Sequence, residues 1–334
     1  MSEPRFLVTA SPHLKAPAST PVIMWNVVGS LVPIVAAATY FFGIGALLVV
    51  AAATLGSLVT ERVFGEGGTI ADGSALITGL LLGLTLPPTF PLWMAFLGGV
   101  VAIAFGKLIF GGLGQNVFNP ALLGRAFLQA AFPVAITTWA THGGSLWQIS
   151  GDQLALPFMG VGELDTVTGA TPLGLWKFER VPTEIGDLLM GTINGSAGET
   201  SALIITLGGI YLAARNFLNW RIPLSIFLTV GLFSWGLHLL DPSRYPGPLF
   251  MLFSGGLMLG AWYMATDLVT SPVTNGGAWL FGFGVGALVV IIRLWGGLPE
   301  GVMYAILIMN ALVPFINRAT QPRVFGTRPR EATT

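Results

Sequence analysis

Charged side chains are absent from long stretches of this chain, and those stretches are rich in apolar residues. Residues 16–60 contain no Asp, Glu, Lys or Arg, and neither do residues 73–106 or 268–292. A transmembrane helix needs about 20 mostly apolar residues, so these stretches predict membrane spans. Division at Pro, Gly and polar residues gives about ten segments: 22–42, 44–60, 73–90, 91–110, 117–139, 200–219, 222–240, 247–266, 276–293 and 299–317.

The composition agrees with a membrane protein. Only 9% of the 334 residues are charged, 53% are hydrophobic and the mean hydropathy is +0.77. Ordinary soluble domains carry about 25% charged residues, so a soluble enzyme, a nucleic-acid binder and a disordered chain are all excluded. The net charge is zero and there is no cysteine. Redox chemistry would therefore need an organic cofactor or neighbouring subunits, because the chain itself offers no thiolate ligand for a metal cluster.

The few basic residues indicate the orientation, because cytoplasmic loops are enriched in Lys and Arg. With a cytoplasmic N-terminus, ten basic residues fall inside, and Lys177, Arg180, Arg244 and Arg293 fall outside. The N-terminal 20 residues lack the apolar core of a cleavable signal peptide. Both termini are thus predicted to be cytoplasmic, and the long hydrophilic connection 140–199 to face the periplasm or exterior.

Ten segments divide into two groups of five, which predicts an all-α integral membrane protein. An odd number of helices per half makes the halves enter the membrane in opposite senses, as in many transporters with inverted repeats. The predicted parts are a cytoplasmic tail (1–21), a first five-helix repeat (22–139), an external loop (140–199), a second five-helix repeat (200–317) and a cytoplasmic tail (318–334).

Each half contains an aspartate and a Thr/Pro break near its third segment. Asp72 opens a run that ends in Thr85-Leu86-Pro87-Pro88, and Asp267 precedes Thr270-Ser271-Pro272. A proline pair ends a helix. The run is either a half-helix ending near the bilayer midplane or a helix ending at the interface. Coupling ions favour oxygen ligands, which makes the following residues candidates for an ion pathway: Asp72, Thr85, Asp267, Thr270 and Ser271.

A glycine-rich stretch precedes the fifth segment. Residues 111–121 include three glycines, then Asn116 and Asn119, either of which can cap a helix that has Pro120 in its first turn. Arg125 follows in apolar surroundings. It could hold a phosphate, a carboxylate or a flavin carbonyl, or it could extend to the cytoplasmic interface, where long basic side chains reach water.

The external loop contains Thr168-Gly169-Ala170-Thr171-Pro172. The first four residues resemble the [Ser/Thr]-Gly-Ala-Thr signature of subunits that carry FMN as a phosphoester on the last threonine, which is Thr171 here. A separate flavin transferase must reach that hydroxyl. Gly169 and Ala170 offer little bulk against such an enzyme, and Pro172 favours an extended Thr171.

Further motifs resemble the same family, namely the D subunits of Rnf electron-transport complexes. The B subunit of the sodium-pumping NADH:quinone oxidoreductase is similar, but it usually has a longer N-terminal extension. The motifs are Ser11-Pro12-His13, Ile23-Met24, Asp72-Gly73-Ser74-Ala75, Leu86-Pro87-Pro88, Gly114-Gln115-Asn116, Asn119-Pro120-Ala121, Ala265-Thr266-Asp267 and Ser271-Pro272.

This resemblance implies a urea-transporter-like fold and a bacterial inner-membrane subunit without activity of its own. The complex would pass electrons between ferredoxin and NAD while moving sodium or protons, with flavin- and iron–sulfur-carrying subunits as partners. The cofactors implied are covalent FMN and a second, non-covalent riboflavin, which we expect near Asn116, Asn119 and Arg125. Two alternatives have no redox role: a solute channel of the same fold and a scaffold subunit.

Overall fold

The computed structural model describes residues 19–65, 69–139, 146–147, 149, 151–157, 169–199 and 201–322. Ser11-Pro12-His13 and Thr168 lie outside these residues. All regular structure in the described ranges is helical. The α-helices are α1 Thr20–Phe42, α2 Ile44–Phe64, α3 Ser74–Leu84, α4 Leu92–Gly106, α5 Pro120–Ala131, α6 Pro133–Thr137, α7 Pro172–Gly174, α8 Ile185–Met190, α9 Ala202–Ala214, α10 Arg221–Leu240, α11 Pro248–Phe253, α12 Leu257–Leu259, α13 Asn275–Trp295 and α14 Val302–Thr320.

Six helices of the described chain are long and apolar enough to cross a membrane: α1, α2, the run Leu92–Phe110 that begins with α4, α10, α13 and α14. The prediction of an all-α membrane protein is confirmed at this level. Large apolar side chains also lie exposed on the outer faces of several helices, where lipid rather than water would suit them. They include Val32, Leu55, Phe105, Leu207, Leu232 and Phe315.

Four of the ten predicted segments do not form full-length helices. The segment 73–90 is helical only as α3, since the chain turns at Thr85 before the two prolines. The segment 117–139 is divided by Pro133 into α5 and α6. The segment 200–219 contains the 13-residue helix α9. In 247–266 the helix is interrupted at Gly255, whose φ of +64° favours glycine, and it continues into a wide turn of π-helix.

The two halves pack their helices in the same order. In the first half α2 packs against α3 and α4, and α4 packs against α5. In the second half α10 packs against α11 and α13, and α13 packs against α14. The helices that open the two predicted repeats, α1 and α9, contact each other, and so do α5 and α14.

Glycines allow the closest helix crossings in both halves. A Cβ on Gly56 or Gly99 would overlap a backbone carbonyl of the facing helix at the α2–α4 crossing. At the α10–α13 crossing, a Cβ on Gly282 would lie 2.8 Å from the Ile222 carbonyl oxygen. Small residues let membrane helices approach closely where no water-driven hydrophobic effect holds them together. These contacts fix the second and fourth helix of each half against one another.

Candidate functional site

A cavity of about 430 Å³ lies next to the threonine of the external-loop motif; we call it the threonine cavity. It is lined by the connection between α13 and α14 and by six residues of that loop: Ala170, Thr171, Leu173, Gly174, Phe178 and Glu179. Its volume is within the range of about 300–1,000 Å³ that is usual for small-molecule sites. Its polar and charged lining residues include Thr171, Arg125, Gln129, Glu199, Glu300 and Tyr304.

Thr171 lies half-buried at the start of the short helix α7. Its backbone is extended, with φ −73° and ψ 155°, as the following Pro172 predicts. Its Oγ1 accepts a hydrogen bond from the Gly174 N–H at 3.2 Å, so the hydroxyl caps a helical turn rather than projecting from a free strand. A Cβ on Gly169 would overlap the side-chain amide of Asn194, which would have to move, and Ala170 is exposed. Thr171 therefore lines the cavity while Ala170, its neighbour in the motif, also reaches the surface.

Arg125 reaches the threonine cavity from α5 and is 8% exposed. Its guanidinium donates a hydrogen bond to the Thr85 carbonyl, which is left without an intrahelical partner where α3 ends. Inside a membrane such a carbonyl needs a protein donor. The interpretation that Arg125 extends to the cytoplasmic interface is wrong. The Leu86 carbonyl, just after the end of α3, accepts the Ala197 N–H, so a second carbonyl at this break also has a donor from the protein.

Two glutamates and a second arginine complete this region. Glu199 is 7% exposed, and its carboxyl group lies near that of Glu300, since an oxygen of each is within 4 Å of where a Cβ on Gly256 would be. Burial, followed by the nearby charge of Glu300, raises the pKa of Glu199 to about 8. Glu300 also accepts the Gly256 N–H at 2.8 Å and lies 3.6 Å from the guanidinium of Arg293.

Arg293 lies inside the protein at the end of α13, although the sequence places it among the external charges. It is 3% exposed and donates to the carbonyls of Met251 and Ser254, at 2.6 and 2.8 Å. These carbonyls lie where α11 breaks before Gly255. The guanidinium therefore satisfies a broken helix in the second half, much as Arg125 does in the first half.

A second, smaller cavity of about 110 Å³ contains Asn116 and Asn119; we call it the asparagine cavity. Asn119 accepts the Leu122 N–H, which confirms its predicted role as a helix cap, and donates to the Met264 carbonyl at 3.1 Å. Arg125 does not line this cavity. Of the three residues predicted at one flavin site, the two asparagines therefore line this cavity and Arg125 lines the threonine cavity.

The asparagine cavity also brings together several predicted ion-pathway residues. Asp267 lines it, accepts hydrogen bonds from the Val269 N–H and the Thr270 hydroxyl, and interacts with the Asn116 side chain. Ser271 is buried beside them and donates its N–H to the Asp267 carbonyl. No group of three His, Cys, Asp or Glu side chains suited to a metal ion occurs in the described ranges.

Asp72 and Thr85 do not join this group directly. The carboxylate of Asp72 accepts the N–H and the hydroxyl of Ser74, at 2.7 and 2.6 Å, and so ends the turn before α3. Ser74 lines the asparagine cavity, whereas Asp72 touches Ser74 but does not line the cavity itself. Thr85 lies at the opposite end of α3 beside Arg125, so the two ends of this helix lie near different cavities.

A buried ion pair next to the asparagine cavity was not predicted. Lys107 is 2% exposed and donates to the carboxylate of Glu61 at 2.8 Å and to the Ser74 hydroxyl at 2.7 Å. Glu61 is 1% exposed, and its second oxygen has no hydrogen-bond partner in the described part of the chain. The sequence suggests only that Lys107 is a cytoplasmic loop residue, since its partner lies 46 residues away.

Comparison with known proteins agrees with the resemblance of the motifs. A model of the NQR2, RnfD, RnfE family matches residues 7–326. The D subunit of the proton-translocating ferredoxin:NAD(+) oxidoreductase complex of Clostridium ljungdahlii is 42% identical over 97% of both chains. The D subunit of the Na(+)-translocating ferredoxin:NAD(+) oxidoreductase complex of Acetobacterium woodii is 41% identical over 98% of this chain and 97% of the relative. The D subunit of the ion-translocating oxidoreductase complex of Stutzerimonas stutzeri is 43% identical over 92% of both chains. The chain therefore belongs to the NQR2, RnfD, RnfE family.

Proposed function

We propose that this chain is the D-type membrane subunit of a complex that couples electron transfer between ferredoxin and NAD to ion translocation. The names and full-length similarity of its relatives support this role. The observation that carries the redox role is the position of Thr171, whose hydroxyl lies at a cavity lined by a buried arginine. We propose that Thr171 carries FMN as a phosphoester, attached by a flavin transferase.

The residues of the threonine cavity fit such a group. Gln129 and Tyr304 offer hydrogen-bond donors, and Arg125 adds a buried positive charge. Leu173 and Phe178 give apolar surface for a planar ring system. FMN would supply the ability to accept two electrons and release them one at a time, while the protein positions and tunes it.

Detection of covalent flavin tests this assignment. The complex is expressed with a flavin transferase, denatured and examined by in-gel ultraviolet fluorescence, and the peptide 166–177 is analysed by mass spectrometry. We expect fluorescence on this chain, its loss in Thr171→Ala and its retention in Thr183→Ala, a matched change in the same loop outside the cavity. A non-fluorescent wild type would refute covalent FMN and favour a channel or scaffold role.

We further propose that the two halves form a five-plus-five inverted repeat of the urea-transporter type, with both termini cytoplasmic. The equivalent packing orders of α2–α5 and α10–α14 support the repeat. The orientation can be tested with single cysteines, because the native chain has none. Glu184→Cys should react with an impermeant maleimide from the external side of intact cells. Arg62→Cys should react only after the membrane is opened, and the reverse pattern would overturn the topology.

Ion translocation is proposed to involve the aspartate of the asparagine cavity. Asp267 and Thr270 are hydrogen-bonded to each other, Ser271 is adjacent and Asp72 lies behind Ser74. We expect Asp267→Asn to lower the ions moved per electron, and Asp72→Asn to do so more weakly. Proteoliposomes that assay sodium and proton uptake separately identify the ion. Full pumping in both variants would exclude this pathway.

The second, non-covalent riboflavin remains a proposal for the asparagine cavity. Asn116 and Asn119 supply amide groups there, but about 110 Å³ is below the usual range for a small-molecule site, so the cavity would have to widen. Extraction of the native complex should release one riboflavin, and Asn116→Ala should reduce its amount. Unchanged riboflavin in that variant would place the second flavin elsewhere.

A further inference from the structure

The carboxyl groups of Glu199 and Glu300 face each other at the wall of the threonine cavity. They come from different elements: Glu199 ends a short 3₁₀ turn before α9, and Glu300 lies in the connection between α13 and α14. One oxygen of each carboxyl group lies beside Gly256: a Cβ on that glycine would be 3.4 Å from Glu300 Oε1 and 3.7 Å from Glu199 Oε1. A carboxylate has no hydrogen to donate, so two carboxyl groups this close can hydrogen-bond to each other only when one of them is protonated.

Two carboxyl groups this close repel each other when both are ionised, which favours one shared proton between them, as in carboxylate dyads of enzymes. Glu199 is 7% exposed, whereas the side chain of Glu300 is 23% exposed. The pair thus has one buried member and one member closer to solvent. The more exposed Glu300 is therefore the member of the pair that can exchange a proton with water.

The surrounding charges set the state of the pair. Arg125 on α5 attracts Glu199, and Arg293 on α13 lies 3.6 Å from Glu300. Ser196 also hydrogen-bonds Glu199. The other ionisable groups around the cavity are Glu179, which is exposed, Tyr304 on α14, and Lys177, whose ammonium donates to the carbonyls of Arg293, Gly296 and Leu298.

We propose that Glu199 and Glu300 form a proton-holding pair that gives a proton to the redox group on Thr171 when that group is reduced. This inference rests on the proposed function. Electrons come from the reductant of the complex, the O–H bond of the pair breaks, and the proton moves into the cavity. The pair then changes from one negative charge to two, and the positive charges of Arg125 and Arg293 compensate this increase. Reoxidation returns the proton, or the more exposed Glu300 takes one from the external solution.

Infrared difference spectroscopy of the whole complex tests the pair directly. The wild type at pH 7 should show the carbonyl stretching band of a protonated carboxylic acid, and that band should disappear on reduction of the flavin. Glu199→Gln and Glu300→Gln should both abolish the signal, since glutamine mimics the protonated acid but holds no exchangeable carboxyl proton. Glu184→Gln, an exposed change in the same loop, should retain it.

The pH dependence of flavin reduction gives a second measurement that a merely structural role would not alter. In the wild type, the slope of the flavin midpoint potential against pH should change near pH 8, and in Glu199→Gln this change of slope should be absent. An infrared carboxylic-acid signal that persists in both glutamine variants would overturn the proton-holding pair. So would a midpoint potential with the same pH dependence in Glu199→Gln as in the wild type. Wild-type titration of the band from pH 6 to pH 9 supplies the same test if a variant fails to fold, and a band unaffected by pH refutes the proposal.

Failure of the proposed function can be distinguished from failure of the proton-holding pair. If Thr171 carries no FMN, in-gel fluorescence is absent from the wild type itself. If fluorescence is present in the wild type and in Glu199→Gln while the infrared signal is the same in both, covalent FMN stands and only the proton-holding pair is rejected.

Discussion

Replacement of Lys107 with methionine should strongly destabilise the protein, because it leaves the buried carboxylate of Glu61 without its counter-charge. The ammonium makes two charge-assisted hydrogen bonds, 2.8 Å to Glu61 and 2.7 Å to Ser74. Bonds to charged groups contribute about 1.5–3 kcal/mol each, which gives about 3–6 kcal/mol for the two. Loss of one partner of a buried ion pair costs about 3–5 kcal/mol, so the two estimates agree.

The expected loss is large compared with the total stability of about 5–15 kcal/mol that is typical of folded proteins. It is measured on the solubilised complex, with a fluorescent protein fused to the C-terminus of this chain. The fraction that remains monodisperse after heating is followed by size exclusion. Lys107→Met should lose this fraction at a clearly lower temperature than the wild type.

A double-mutant cycle separates the ion pair from simple loss of packing. Glu61→Gln should also destabilise, because the buried Lys107 ammonium keeps an oxygen acceptor but loses its counter-charge. The double variant Glu61→Gln/Lys107→Met contains no unpaired charge and should be markedly more stable than the sum of the two single effects predicts. If the effects are additive, or if Lys107→Met matches the wild type, the two residues are not energetically coupled and the reasoning is refuted.

Three further predictions can be checked with the same heating assay. Gly99→Ala should destabilise the protein by about 1–3 kcal/mol, because the new Cβ overlaps the Ala53 carbonyl. Gly236→Ala is the control and should be neutral or mildly stabilising, because the space around its Cβ is open. Equal effects of the two changes would contradict the close α2–α4 crossing. Asn119→Ala should cost about 0.5–2 kcal/mol through loss of the α5 cap, and no loss would mean that the cap is dispensable. Between pH 4.5, the ordinary pKa, and about pH 8, the folded protein holds a proton at Glu199 that the unfolded chain releases, so stability should fall as the pH rises through this window. Glu199→Gln should make stability depend less on pH in this window. An unchanged pH profile in that variant would exclude Glu199 as the source of the fall.

The sequence predicts the long helices well, because a bilayer imposes a simple requirement on them. A charge-free apolar run of about 20 residues has few alternatives to a spanning helix. This reasoning succeeds for α1, α2, α10, α13 and α14. It is less informative where glycine or proline interrupts the run, as at Gly255, because the freed backbone groups can be satisfied by distant residues that local pattern does not reveal.

The charged residues show this limit most clearly. Counting Lys and Arg by loop assigns Lys107 and Arg293 to opposite aqueous faces, yet both are buried and paired. Their partners, Glu61 and Glu300, come from other elements of the chain. A basic residue next to an apolar segment satisfies the counting rule equally well whether it faces water or turns inward to a carboxylate. Burial therefore follows from tertiary contacts that a single sequence does not contain.

The separation of Asn119 from Arg125 has a geometric cause that also explains where the site residues converge. Six residues along α5 correspond to a rise of roughly 9 Å, so side chains near in sequence lie at different depths. Residues at one depth instead come from different helices, as Arg125 within α5 meets the Thr85 carbonyl at the end of α3. A broken helix exposes carbonyls that require donors, and Arg125 and Arg293 supply some of these donors at the two breaks. The chain breaks therefore account for where these two buried arginines lie, and Thr171 lies beside one of them.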